Sequence, residues 1–154
     1  MLKKVNLIYR IVSEWYNFWD DTILQGNQTI TLEASLEEIP LFVKAGQILP
    51  MEEDNTLILH LYAPTSGGQE TLMYSDAGDG YGESRRDRFF LMRENNVLEL
   101  TWEQEGDYDF PYSAVILHLY GVSVQQAWID EQERRMQGQE LHCKSSQRVR
   151  FHCW

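Results

Sequence analysis

Ile39-Pro40-Leu41-Phe42-Val43-Lys44-Ala45-Gly46-Gln47-Ile48-Leu49-Pro50 reads as two short apolar strands that meet at an Ala-Gly pair, each bounded by a proline. Gly46 lacks a Cβ and takes positive φ at little cost, which a tight reversal needs. Pro40 and Pro50 fix φ and withhold a ladder donor, so both are expected at strand ends. The segment is therefore expected to be a proline-bounded hairpin.

Outward from this turn, alternation with period two dominates the chain. Leu57, Leu59 and Leu61 face one way, and Ile58, His60 and Tyr62 the other. Val115, Leu117 and Leu119 repeat the pattern against Ile116, His118 and Tyr120, and Leu98, Leu100 and Trp102 alternate with Val97, Glu99 and Thr101. Further strands are expected near 5–12, 28–33, 69–75, 87–94, 124–130, 139–143 and 147–153. Turn signals such as Gly26-Asn27, Glu53-Asp54-Asn55, Asn95-Asn96 and Ser145-Ser146 separate them. With no convincing 3.6-residue period, the expected fold class is all-β, an antiparallel β-sandwich. Leu-His-Leu-Tyr at 59–62 recurs at 117–120, which fits either an internal repeat or two strands of one sandwich with similar residues.

A length of 154 residues suits one domain or one and a fraction, and 43% hydrophobic residues suit a packed core. The net charge of −11, with 13 scattered Lys and Arg, argues against a nucleic-acid partner, which requires clustered cations. It argues equally against a membrane surface. No apolar run reaches the length of a membrane span and no signal-peptide core opens the chain, so a cytoplasmic location is expected.

Upstream of the Ala-Gly turn stands Trp15-Tyr16-Asn17-Phe18-Trp19-Asp20. Downstream stands Gly68-Gln69-Glu70-Thr71-Leu72-Met73-Tyr74-Ser75-Asp76-Ala77-Gly78-Asp79-Gly80-Tyr81. In this order and spacing the three blocks resemble the C-terminal β-domains of glycoside hydrolase family 31, the α-glucosidase and α-xylosidase family. The resemblance runs from about Trp15 to about Asp130. Ser75 and Ala77 stand where the family tends to carry acids, and residues 1–14 depart from its usual approach to the first block.

The resemblance implies two parts: residues 1–52 as the end of a proximal β-domain, and 53–154 as a distal C-terminal β-sandwich domain. The atypical 1–14 segment would supply a strand for the open edge of the first part. It also implies that bond cleavage belongs to a (β/α)8 barrel outside these residues. Such a barrel takes about 250 residues, and retaining glycosidases need two carboxyls about 5–5.5 Å apart. The chain is accordingly expected to hold no catalytic residue and no cofactor, and to be inactive alone. Its expected role is to support the parent enzyme's barrel or shape its cleft. The alternative is a stand-alone carbohydrate-binding module for α-glucans.

Trp15, Tyr16 and Trp19 are the candidate interface residues. Their rings either stack on sugar or pack into the core and against the barrel, and the second use would leave an apolar patch on the isolated chain. Asp76, Asp79 and Glu83 form an oxygen-rich run that suggests calcium, although the spacing is not that of a twelve-residue calcium loop and a solvated turn fits as well. His142-Cys143 and His152-Cys153 suggest zinc. A hairpin turning at Ser145-Ser146 would split these four between two faces, so two free thiols in a reducing compartment are expected instead. Asp20-Asp21, Glu37-Glu38 and Glu52-Glu53 read as solvated turns.

Overall fold

The computed structural model describes residues 3–8, 13–34, 39–78, 81–145 and 148–154. The chain divides into two compact units, Met1–Ala45 and Gly46–Trp154. The boundary expected near residue 52 lies seven residues further on, inside a strand of the second unit.

In the first unit, β1 (Lys3–Ile8) pairs antiparallel with β4 (Thr29–Ala34) along its whole length. The 1–14 segment therefore does contribute a strand, somewhat earlier than the 5–12 expected. A second sheet places β2 (Trp15–Asn17) between β3 (Ile23–Leu24) and β5 (Phe42–Lys44). The alternation reading missed β2 and β3, which are too short to show a period.

The second unit holds β6 (Ile48–Glu53), β7 (Thr56–Tyr62), β8 (Gly67–Asp76), β9 (Ser84–Glu94), β10 (Val97–Gly106), β11 (Ala114–Tyr120), β12 (Val124–Ile129), β13 (Gln132–Arg134), β14 (Glu140–Cys143) and β15 (Arg148–Cys153). They form a four-stranded sheet ordered β14-β11-β7-β6 and a six-stranded sheet ordered β13-β12-β15-β10-β9-β8. No helix occurs among the described residues, and the fold is an all-β sandwich. The alternating leucines do what their period demands. Leu57, Leu59, Leu61, Val115, Leu117, Leu119 and Leu141 of one sheet meet Phe89, Leu91, Leu98, Leu100, Trp102, Val149 and Phe151 of the other in a single core. Each such side chain, fully buried, contributes about 1.5–3 kcal/mol.

The structure corrects three of the expectations. The strands flanking Ala45-Gly46 do not form a hairpin: β5 pairs with β2, whereas β6 pairs with β7. Gly46 does take positive φ, at 91°, and its N–H donates to the Tyr62 carbonyl at 2.7 Å. A Cβ there would come within 3.0 Å of Gln69 Cγ. Pro50 does not end a strand either, because it sits within β6 opposite Leu59. β6 is an edge strand, where a missing donor costs no ladder bond.

The third correction concerns Ser145-Ser146. β14 lies in the four-stranded sheet beside β11, while β15 lies between β12 and β10 in the other, so the chain crosses from sheet to sheet instead of reversing. A reversal signal names a place where the chain turns. It does not name the partner.

β7 and β11 are parallel neighbours, a pairing that requires a crossover. Here β8, β9 and β10 provide it through the opposite sheet. The two Leu-His-Leu-Tyr segments lie side by side in register, with Leu59 opposite Leu117 and Tyr62 opposite Tyr120. Their leucines enter the core. On the other face His60 and His118 stack at 5.8 Å, Tyr62 and Tyr120 stack at 4.5 Å, and His60 Nδ1 lies 2.8 Å from the Tyr120 hydroxyl.

Among the described residues, one polar network interrupts the apolar interior of the second unit. Asp87, fully buried, accepts from Arg85 Nε at 2.7 Å and Nη2 at 2.8 Å, and from Trp102 Nε1 at 2.7 Å. The Arg85 guanidinium also lies 4.8 Å above the Phe110 ring, which packs on Trp102. Burial, followed by the charges of Glu52 and Asp87, pushes the nearby Tyr112 phenol above its usual range. Asp87→Ala strands a buried guanidinium and should cost about 3–5 kcal/mol in urea titrations. Replacing both partners by apolar residues (Arg85→Met with Asp87→Leu) should cost clearly less, because no charge is left uncompensated. Equal losses would show that the network matters for its shape and not its charge.

Candidate functional site

The Trp15–Asp20 motif occupies β2 and the tight connection to β3. Local polar groups shape the connection. Asn17 Oδ1 accepts from the Trp19 N–H at 3.1 Å, Asp20 Oδ1 accepts from the Thr22 N–H at 2.9 Å, and Asp21 takes φ of 60°. Asn and Asp favour such turns because their short side chains bond their own backbone. The Thr22 backbone N–H, then its hydroxyl, holds the Asp20 carboxyl below its usual range.

The connection is tied to the 39–41 segment. The Phe18 N–H donates to the Leu41 carbonyl at 3.0 Å and Trp19 Nε1 donates to the Ile39 carbonyl at 2.9 Å. With its one donor engaged, and Phe18 edge-on at 5.2 Å, the Trp19 ring has a defined position. It is 53% exposed, beside Ile39 at 72% and Leu41 at 44%. Tyr16 is buried, at 2%, and Trp15 is half-buried. The three candidates separate by position: Tyr16, central in β2, belongs to the interior, while Trp19, in the turn that follows the strand, belongs to the surface. Ile39 and Leu41 were not singled out from the sequence, although their place before the Ala-Gly turn was the available signal.

Of the calcium candidates, Asp76 ends β8 and its Oδ1 accepts from the Gly78 N–H at 2.8 Å, and Glu83 is exposed. Asp79 lies outside the described residues. Among the described residues no three His, Cys, Asp or Glu side chains gather as a metal would require. Cys143 and Cys153 are both free. Burial, then the Asp130 charge, pushes the Cys143 thiol up to about 12. Burial raises Cys153 as well. Metals and electrophiles take the thiolate, so both sites disfavour that chemistry. Glu140 sits between His118 Nδ1 at 3.2 Å and His142 Nε2 at 3.7 Å. Glu103 and Glu105, spaced along one side of β10, stand opposite Arg88 and Arg86 in the ladder with β9.

Two outcomes follow. Tyr16→Ala should cost about 3–5 kcal/mol, whereas Trp19→Ala should cost under about 1.5 kcal/mol, as read from urea titrations of the whole chain. Iodoacetamide at pH 7.5 should leave both cysteines of the folded protein unmodified and alkylate both in urea. Rapid modification of folded protein would contradict the raised thiols.

Residues 5–49 match the family model for the glycosyl hydrolase family 31 C-terminal domain. The match begins at Val5 and so takes in much of the stretch set apart as atypical. Alpha-glucosidase 2 of Bacillus thermoamyloliquefaciens is 24% identical over 106 residues, which is 61% of this chain and 14% of that protein. The alpha-xylosidase of Saccharolobus solfataricus is 27% identical over 100 residues, 59% of this chain and 12% of that protein. The chain thus spans about a seventh or less of these relatives' own length. In fold, the family 31 dextranase of Flavobacterium johnsoniae superposes with a TM-score of 0.75 at 17% identity, over 97% of this chain and 24% of that one. The family 31 alpha-xylosidase of Xanthomonas citri gives 0.65 at 19% identity, over 96% and 17%. Sequence in the first unit and fold along nearly the whole chain agree: these residues match the C-terminal β-region of glycoside hydrolase family 31.

Proposed function

We propose that the chain serves as the non-catalytic C-terminal β-region of an α-glucosidase-like glycoside hydrolase, supporting the (β/α)8 barrel of the parent enzyme or the rim of its substrate cleft. The observation that carries this reading is the Trp19, Ile39 and Leu41 surface. Three large apolar side chains stand exposed in the unit that matches the family model, their segments joined by the Trp19 indole bond to the Ile39 carbonyl and the Phe18–Leu41 backbone bond. Single exposed apolar residues need no partner, but a fixed cluster of this kind is normally covered. In this reading the first unit is the end of a proximal domain and the second a distal one. The parent would cleave terminal α-linked glucose or xylose in the cytoplasm, where both thiols stay reduced.

A second reading draws on one feature of the same site. An exposed indole with a fixed ring plane can stack on the apolar face of a pyranose, as in a stand-alone α-glucan-binding module.

Pure protein should hydrolyse chromogenic α-glucosides and α-xylosides at the background rate, and turnover would overturn the non-catalytic assignment. Calorimetric titration with maltose, isomaltose and longer glucans should be silent at millimolar ligand. Heat that disappears in Trp19→Ala would favour the binding module over the scaffold.

A further inference from the structure

Four arginines of the second unit are spent on acids. Arg85 pairs with Asp87 at 2.7 Å, Arg88 with Glu70 at 3.4 Å, Arg148 with Glu99 at 2.7 Å, and Arg150 with Glu131. Arg134 and Arg135 break this pattern. The chain has 24 acids against 13 Lys and Arg, yet among the described residues neither guanidinium has a carboxylate within ion-pair distance. Arg134 Nη2 donates instead to the neutral Gln132 Oε1 at 2.8 Å. Both arginines line one cleft of about 500 Å³, to which Val124, Ala127 and Met136 give apolar walls. β12 bulges at this place: its ladder with β15 passes from Val124 to Gln126, and the extra residue, Gln125, lines the same cleft. A bulge re-aims a side chain and recurs beside binding sites. The acids nearby are engaged. Glu133, also on the cleft, accepts from Gln126 Nε2 at 3.3 Å, and Asp130 Oδ1 accepts from the Arg148 N–H at 3.1 Å.

We infer that this cleft binds a small phosphate-bearing molecule. Charge selects the sign of the ligand: two guanidinium groups on one cleft repel each other, and an anion between them turns that repulsion into attraction. A phosphate monoester carries about −1.5 to −2 charge and three acceptor oxygens. Those oxygens suffice for two guanidinium forks and the Gln125 amide, whereas a carboxylate offers one charge and two oxygens. The apolar walls meet the carbon body that carries the phosphate, and the cleft has the size of small-molecule sites. A neutral glucan brings no anion and gains nothing from the two arginines, so this site is independent of the scaffold role.

Inorganic phosphate and glucose 6-phosphate, each titrated at constant ionic strength against chloride, should shift the amide resonances of residues 124–136 in isotope-labelled protein. The shifts should saturate, and glucose alone should cause none. Arg134→Gln and Arg135→Gln should each weaken binding about tenfold, the loss expected for a hydrogen bond to a charged group. Their far-UV circular dichroism and ligand-free melting temperature should match the wild type, which separates loss of binding from loss of fold. Arg86→Gln removes the same charge from β9, away from the cleft, and should bind as the wild type does. Wild-type shifts that chloride reproduces, or that never saturate, would overturn the proposal. So would binding that survives both cleft substitutions together, or that weakens equally in Arg86→Gln, since either result would mean general charge attraction and no built site.

Discussion

Asp87 is the point on which the second unit's interior turns. A fully buried carboxylate is admissible only when its charge is matched and its lone pairs are filled. Arg85 supplies two donors from its own strand and Trp102 a third from the neighbouring strand. Those bonds fix the β9–β10 register at the height where Phe89, Trp102 and Phe110 pack together. Gly106, opposite Arg85, is held to the same register, since a Cβ there would lie 2.1 Å from the Ser84 carbonyl oxygen. The surrounding leucines supply most of the apolar burial, while the network ties β9 to β10 side chain to side chain.

The parallel contact between β7 and β11 is the other organising element. Two copies of one four-residue pattern lie at the same height, so their leucines fill the core together and their imidazole and phenol rings stack on the opposite face. That stacking depends on a crossover of three whole strands. The identity of the two segments therefore has a packing explanation within one sheet and requires no repeated domain.

In the first unit the family-like motif divides its labour. Tyr16 is interior, Trp19 is surface, and Asn17, Asp20 and Asp21 make the connection that carries Trp19 outward. The indole N–H is spent on the Ile39 carbonyl, so what Trp19 presents is apolar ring. This suits a role in packing on another apolar surface, and it sets the terms on which a sugar could compete for the same ring.

Alternation in the sequence was enough to assign the inward faces of the long strands and the all-β class, because side-chain direction in a strand is a local property with a period of two. It also marked Gly46 as the place for positive φ, since only the backbone at that residue is involved. Partner choice was a different matter. That β5 and β6 go to different sheets, that β14 and β15 do likewise, and that Pro50 rests harmlessly in an edge strand were all decided by tertiary structure. Hydrogen-bond partners far apart in the chain leave no periodic trace, and a proline or a serine pair looks the same whichever strand comes to lie beside it.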